Sequence, residues 1–296
     1  MLSILVPLYN YNVYPLVSEL HKQCTDCGVH FEILCQDDAS KSSLNVFNEN
    51  VNTLSNCSFI TLNQNIAHRE NRNSLAEQAK YNYLLFIDGD SIIIHNDYIK
   101  KYITNLNDFD IVYGGRLHPE KCPSDNQKLR WKYGRFIEDK SVTNREIKSY
   151  QSLLFNNTLI KKHCFNRVKF DRKIKKYGHD DTQLSYQLSV SQAKVNHIDN
   201  PVEHGDIDTN LDYLEKIKES LENLILLYEE EKIDIGFVKL IQLYHFLKRT
   251  KSTFIISKIY VFFEKSLLKN LTGKNPNLWI FNLFRIGYLC SLNQKI

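Results

Sequence analysis

Tyr83-Leu84-Leu85-Phe86-Ile87-Asp88-Gly89-Asp90 is the stretch on which the reading of this chain turns. Its five apolar residues read as a buried strand. Two carboxylates emerge where that strand ends, and Gly89 between them lets the backbone turn sharply and approach a ligand closely. Open α/β sheets bind ligands beyond the carboxyl ends of their strands. Paired carboxylates placed there suit a hard divalent cation of the kind shared with substrate phosphates. The stretch therefore points to an enzyme that handles a phosphorylated, nucleotide-linked substrate. Asp-Gly-Asp alone is also a common turn, so its surroundings have to decide.

Outward from it, the N-terminal part alternates strand and helix signals. Ser3–Leu8, Phe31–Cys35 and Ser58–Leu62 read as strands, and Tyr14–Cys24 and Glu70–Lys80 as helices. The strands end in polar residues: Tyr9-Asn10, Gln36-Asp37-Asp38 and Asn63-Gln64-Asn65. This alternation predicts an α/β fold, a mostly parallel sheet flanked by helices, with the polar strand ends lining one crevice. Farther on, Gly114-Gly115, Pro119 and Pro123 punctuate a loop region. Leu129–Ile137, Leu159–Phe165 and Asp181–Ser191 read as helices and Ser152–Phe155 as a strand.

Past Asp208 the signals become almost wholly helical. Asp208 or Thr209 caps Leu211–Lys232, followed by Ile235–Arg249, Phe254–Leu268 and Leu278–Leu289. A catalytic domain over 1–207 and a helical C-terminal region over 208–296 are expected. The 296 residues are 43% hydrophobic, enough for a sizeable core. Net charge is only +4 but uneven. From Lys239 onward ten basic residues face the single acid Glu264, a net +9, while the rest carries 28 bases and 33 acids, a net −5. The seven cysteines include one CxxC, Cys24 and Cys27, with no second pair at zinc-site spacing, and read as reduced thiols of a cytosolic protein. Met1–Val6 lacks a basic start and Pro7 interrupts it, so no signal peptide is expected. No apolar stretch reaches the roughly 20 residues needed to span a bilayer.

Five motifs, in order, resemble the family 2 glycosyltransferases, which have the GT-A (Rossmann-like) fold. Ile4-Leu5-Val6-Pro7-Leu8-Tyr9-Asn10 is like their opening strand. Glu32-Ile33-Leu34-Cys35-Gln36-Asp37-Asp38-Ala39-Ser40 resembles their EIIVVDDGS segment, with Ala39 where glycine is usual. Asn65 to Asp90 is similar to the stretch from N-x-G through A-R-N to LDxDD, with Arg72-Asn73 on its Arg-Asn and Ile66 in place of its glycine. Asn157–Lys161 with Phe165 and Phe170-Asp171 resembles the N-x-x-I-R…FDE region, and Gly178-His179-Asp180-Asp181 the G-x-E-D motif.

The resemblance implies an inverting, metal-dependent transfer of a sugar from a nucleotide diphosphate, in first place a UDP-sugar, to an acceptor hydroxyl in surface-polysaccharide or glycan synthesis. Asp90 would ligate Mn2+ or Mg2+, Asp88 would share the ion or meet the ribose, and His204 would be a further ligand. A neutral imidazole favours manganese. Asp37 or Asp38 would accept from the base, with Pro7, Tyr9 and Asn10 walling its pocket. Asn65 and Gly89 belong to the donor-binding loops, and Arg72, with Arg69 behind it, would reach the base or the diphosphate. Asp181 is the expected general base, accepting the hydroxyl proton opposite the leaving diphosphate, and Asp180 would hold acceptor hydroxyls. Asp180-Asp181 also suits a plain helix cap.

The tail mixes Phe254, Tyr260, Phe262, Phe263 and Trp279 with lysines, a composition that suits an anionic membrane surface. It suits equally a homodimer contact or packing on the catalytic domain. Nucleic acid is not expected, because no recognised binding module accompanies the charge. The resulting picture is a cytoplasmic enzyme, peripheral at the inner face of the membrane if the tail binds lipid, acting on a glycan or lipid-linked glycan acceptor. Two rivals stand beside it. A sugar-1-phosphate nucleotidyltransferase would need a Gly-rich loop with Arg and Lys that Pro7–Asn10 lacks, and a non-catalytic scaffold would not need Asp88, Asp90 and Asp181.

Overall fold

The computed structural model describes residues 1–106, 108–174 and 176–292. In chain order the N-terminal elements are β1 (Leu2–Leu8), α1 (Tyr14–Asp26), β2 (Phe31–Asp37), α2 (Asn45–Asn48), β3 (Cys57–Thr61), α3 (His68–Gln78), β4 (Tyr83–Ile87) and β5 (Ser91–Ile93). Next come α4 (Tyr98–Ile103), β6 (Ile111–Tyr113), β7 (Arg116–Leu117), α5 (Lys128–Tyr133), α6 (Val142–Glu146), β8 (Asn157–Lys161), α7 (Lys162–Val168), α8 (Asp180–Val190), β9 (Val195–His197) and β10 (Val202–His204). Four helices follow, α9 (Asn210–Glu229), α10 (Lys239–Arg249), α11 (Thr253–Leu271) and α12 (Leu278–Leu292).

The chain forms two compact units. One comprises Met1–Leu117, Asp139–Arg172 and Gln187–Gly205; the other comprises His118–Glu138, Lys173–Tyr186 and Asp206–Ile296. Two segments upstream of residue 208 thus group with the C-terminal helices.

The first unit holds a seven-stranded sheet in the order β3-β2-β1-β4-β8-β6-β9 and a three-stranded sheet in the order β5-β10-β7. Strands β1 to β4 run parallel, whereas β8 is antiparallel to both β4 and β6. All seven residues of β1 are buried, as a central strand covered on both faces requires. Side chains of β4 alternate between two cores. Leu85 and Ile87 join Ile4, Val6, Ile33 and Val17 on one face. Phe86, on the other, meets Phe155 at 5.8 Å and Phe165 at 5.0 Å between ring centroids, and Phe170 packs on both of those rings.

The middle of the chain departs from the sequence-based expectation. Ser152–Phe155 is not a strand: a 3-10 turn at Tyr150–Ser152 leads into buried Leu153 and Phe155, and the strand is Asn157–Lys161. The run Leu153-Leu154-Phe155 is apolar because Phe155 fills the aromatic core. The helix expected from Leu159 accordingly begins at Lys162. Leu129–Ile137 is helical, but passes from α to a π-helical turn at Gly134–Glu138. Ile235–Phe237 is a 3-10 turn preceding α10.

In the second unit, Thr209 caps α9 by accepting from the Asp212 N–H at 3.2 Å. Tyr213 and Leu214 of α9 pack with Leu129, Tyr260, Leu271, Phe281 and Phe284. Helices α11 and α12 form a hairpin in which a Cβ on Gly287 would lie 2.7 Å from the Tyr260 ring, so the close approach demands glycine. Among the described residues no helix is long and apolar enough to cross a membrane.

Candidate active site

The parallel strands β2, β1 and β4 lie side by side and end together, and the sheet order reverses direction between β1 and β4. Such a switch point is where open α/β sheets bind ligands. Loops from all three ends are stitched to one another. Asp38 N–H donates to Leu8 O at 3.0 Å, and Gly89 N–H donates to Pro7 O at 3.3 Å. A Cβ at Gly89 would stand 2.9 Å from Leu8 Cβ, so glycine is what lets the Asp-Gly-Asp turn close on β1. Pro7 is buried in β1, Tyr9 beyond it is exposed, and Asn10 turns with φ 55°.

Asp37 and Asp38 are both buried. Asp37 Oδ2 accepts from Ser40 N–H at 2.9 Å and from Asn45 Nδ2 at 3.1 Å, while its buried Oδ1 has no hydrogen-bond partner among the described residues. Asp38 Oδ1 accepts from Ile66 N–H at 2.7 Å, and Asn65 Nδ2 donates back to Asp38 O at 3.0 Å. Burial raises the Asp38 carboxyl above its ordinary range despite the N–H groups of Ile66 and Ala67. Ala39 stands at φ 56°, the left-handed conformation that favours glycine, and still completes the turn.

Arg69 and Arg72 are both buried on α3. Arg72 lies over the Phe170 ring at 5.3 Å and donates to Asp88 Oδ1 at 2.7 Å. Its guanidinium is thus paired with the first carboxylate of the Asp-Gly-Asp turn. His68 Nε2 stands 3.7 Å from the same oxygen. Burial pushes the Asp88 carboxyl up, but Arg72, helped by His68 and His204, outweighs it and holds the group below the usual carboxylate range.

The second carboxylate belongs to a different constellation. Strand β10 pairs antiparallel with β5, setting His204 opposite Ser91. That register brings His204 Nδ1 to 2.9 Å from Asp90 Oδ2, with both side chains 22% exposed. Gly205 N–H donates to Asp90 O at 2.9 Å, and a Cβ on Gly205 would fall 2.7 Å from that oxygen. A carboxylate oxygen and an imidazole nitrogen side by side, both reachable from solvent, suit a divalent first-row metal. Asp88 does not complete a tight three-ligand cluster with them. Among the described residues only Asp110, His163 and Cys164 bring three ligand atoms within 4.8 Å of one another, and there Lys161 Nζ already faces Asp110 at 3.2 Å.

Asp180 and Asp181 occupy the first turn of α8 and belong to the second unit, whereas every other predicted site residue belongs to the first. The turn before them is built by Gly178 at φ 82° and His179 at φ 61°. Asn223 Nδ2 donates to Gly178 O, and His179 Nδ1 lies 3.1 Å from Thr182 Oγ1. Burial, aided by Arg285, lowers the His179 pKa to about 4.

Sequence reasoning gave no site role to His68, Gly205 or Phe170, the last of which it had placed only in the FDE-like motif. His68 opens α3 two residues before the helix was expected. Gly205 carried a readable signal, since it follows directly on His204, but only the β5–β10 pairing shows what it approaches.

The family model for glycosyl transferase family 2 matches residues 3–183. No curated protein matches the chain. Among solved structures, S. aureus TarS 1-349 is similar with a TM-score of 0.53 and 16% identity, covering 100% of this chain and 92% of that one. The same protein in complex with UDP-GlcNAc is similar with a TM-score of 0.52 and 16% identity, covering 99% and 92%. The mannosyltransferase PcManGT from Pyrobaculum calidifontis, in complex with GDP-Man and Mn2+, has a TM-score of 0.58 at 11% identity, covering 99% and 86%. At these identities the likeness is one of fold, the GT-A fold. With more than half of its length matched by the family model, the chain belongs to glycosyl transferase family 2, and is a glycosyltransferase.

Proposed function

We propose that the chain is an inverting, metal-dependent transferase that moves a sugar from a UDP-sugar to a hydroxyl of a surface glycan or lipid-linked glycan. The observation that carries this reading is the 2.9 Å approach of His204 to Asp90 at the switch point of the sheet. Asp90 and His204 would hold Mn2+ or Mg2+, whose charge would neutralise the leaving diphosphate. Asp88, fixed by Arg72, would orient the ribose side of the donor. Pro7, Tyr9 and Asn10 would wall the base, with Asp37 and Asp38 as acceptors for its N–H. The unpartnered, buried Asp37 Oδ1 supports a donor arriving there. Asn65 and Arg69 would support the donor loop.

Asp181 would take the proton from the attacking hydroxyl as the new bond forms on the face opposite the diphosphate, and Asp180 would hold the acceptor. The complexes named above, of TarS with UDP-GlcNAc and of PcManGT with GDP-Man and Mn2+, are consistent with such a donor and ion. The test is UDP release from a panel of UDP-sugars with manganese. Release that stops in excess chelator and returns with added Mn2+ supports the reading; undiminished turnover in chelator removes the metal from it, and pyrophosphate formed from UTP and a sugar 1-phosphate, with no UDP released from any UDP-sugar, would favour a nucleotidyltransferase.

A further inference from the structure

Helix α11 has two unlike stripes. Ser257, Tyr260, Glu264, Leu267 and Leu271 recur at three- and four-residue steps and turn inward, where Tyr260 packs on Phe284 and donates to Glu264 at 2.9 Å. Ile255, Lys258, Phe262, Lys265 and Lys269 recur at the same steps on the opposite side, and all are exposed. Phe254, Ile259 and Val261 flank them, also exposed. Phe262 is 80% exposed, and Trp279, in the first turn of α12 across the hairpin bend, is 79% exposed. Lys258 Nζ lies 5.1 Å over the Phe254 ring. Large exposed apolar patches on soluble domains mark interaction surfaces.

We infer that this outward face of α11 docks on an anionic lipid bilayer. Charge complementarity selects the occupant. The stripe carries three lysines and no acid, and the one acid from Lys239 onward, Glu264, is held on the inward side. A second copy of the same face would set Lys258, Lys265 and Lys269 against their own counterparts, whereas anionic headgroups neutralise them. Apolar rings interleaved with lysines on one helical stripe match the headgroup–acyl boundary, with rings inserted and ammonium groups at the phosphates. Since α11 is not apolar enough to cross, it lies in the surface. This contact is independent of the sugar-transfer chemistry.

The test is co-sedimentation of the full chain with phosphatidylcholine vesicles and with vesicles containing phosphatidylglycerol. Binding is expected to the anionic vesicles alone and to weaken at high salt. The double variants Ile255→Ser/Phe262→Ser and Lys258→Glu/Lys265→Glu should each lower the partition coefficient at least tenfold while circular dichroism stays unchanged. Phe262→Trp should show a blue-shifted emission on anionic vesicles. No binding to anionic vesicles, or binding indifferent to both double variants, overturns the inference. So does a dimer, seen by light scattering, that Ile255→Ser/Phe262→Ser dissolves.

Discussion

His204 Nδ1 lies 2.9 Å from Asp90 Oδ2, although Asp90 just precedes β5 and His204 ends β10, strands far apart in the chain. The antiparallel register of those two strands creates the pair. Removing either member should abolish metal-dependent turnover while leaving the fold intact, since both side chains reach solvent. Asp90→Asn and His204→Ala are each expected to lower kcat on the order of 100-fold or more and to weaken Mn2+ binding measured by electron paramagnetic resonance. A variant that keeps both would break the assignment.

Gly205 sets how closely β10 approaches the Asp90 carbonyl. Gly205→Ala puts a Cβ where only 2.7 Å is available, against backbone rather than a movable side chain. It should destabilise by about 1–3 kcal/mol and displace Asp90, so that activity falls more steeply than the melting temperature explains. An alanine variant with wild-type kcat would show that the close approach is not needed.

Arg72 anchors Asp88 from a buried position, its side chain only 3% exposed. Arg72→Ala leaves a half-buried carboxylate without its main counter-charge and opens space over Phe170. The expected loss is roughly 2–4 kcal/mol of stability, read from urea midpoints. Arg72→Lys restores charge without the planar stacking and should recover less than half of it. Equal stability of all three proteins would dismiss the anchoring role.

Acid should weaken the fold through two histidines that it holds neutral, the buried His197 and the half-buried His179. His197 is held neutral, its pKa lowered to about 4 by burial and by Arg145, and its Nε2 lies 3.0 Å from Ser149 O. His179 is lowered to about 4 by burial and Arg285. An unfolded histidine takes its proton near pH 6.5. The contribution of these groups is therefore whole above about pH 6.5 and is lost progressively as pH falls toward 4. Melting temperatures recorded across that window should fall, and His197→Gln should flatten part of the slope. A profile unchanged by His197→Gln would assign the acid sensitivity elsewhere.

The N-terminal half of the fold was legible because each of its strands is a short apolar run closed by polar residues. In β1 and β4 burial on both faces makes the run continuous, and the carboxylates at their ends stand out. Strand β8 was hidden because its first residues, Asn157 and Thr158, are polar yet fully buried. Asn157 meets Tyr98, Tyr102, Gly115 and Asn200 through hydrogen bonds, a satisfaction that no local pattern reveals. The site divides in the same way. Asp88 and Asp90 announce themselves locally. The burial of Arg72 against Phe170 and its hydrogen bond to Asp88 depend on tertiary packing. The family pattern suggested His204 as a further ligand to the ion at Asp90, and the β5–β10 register is what sets the two side chains 2.9 Å apart.

The most direct test is Asp181→Asn, followed through both donor binding and turnover. If Asp181 accepts the proton of the acceptor hydroxyl, the variant binds UDP in the presence of Mn2+ with a Kd within about twofold of wild type, while kcat falls on the order of 1,000-fold, and the product made by the wild type carries the inverted anomeric configuration by NMR. Transfer by Asp181→Asn at the wild-type rate, or a product with retained configuration, would contradict the account.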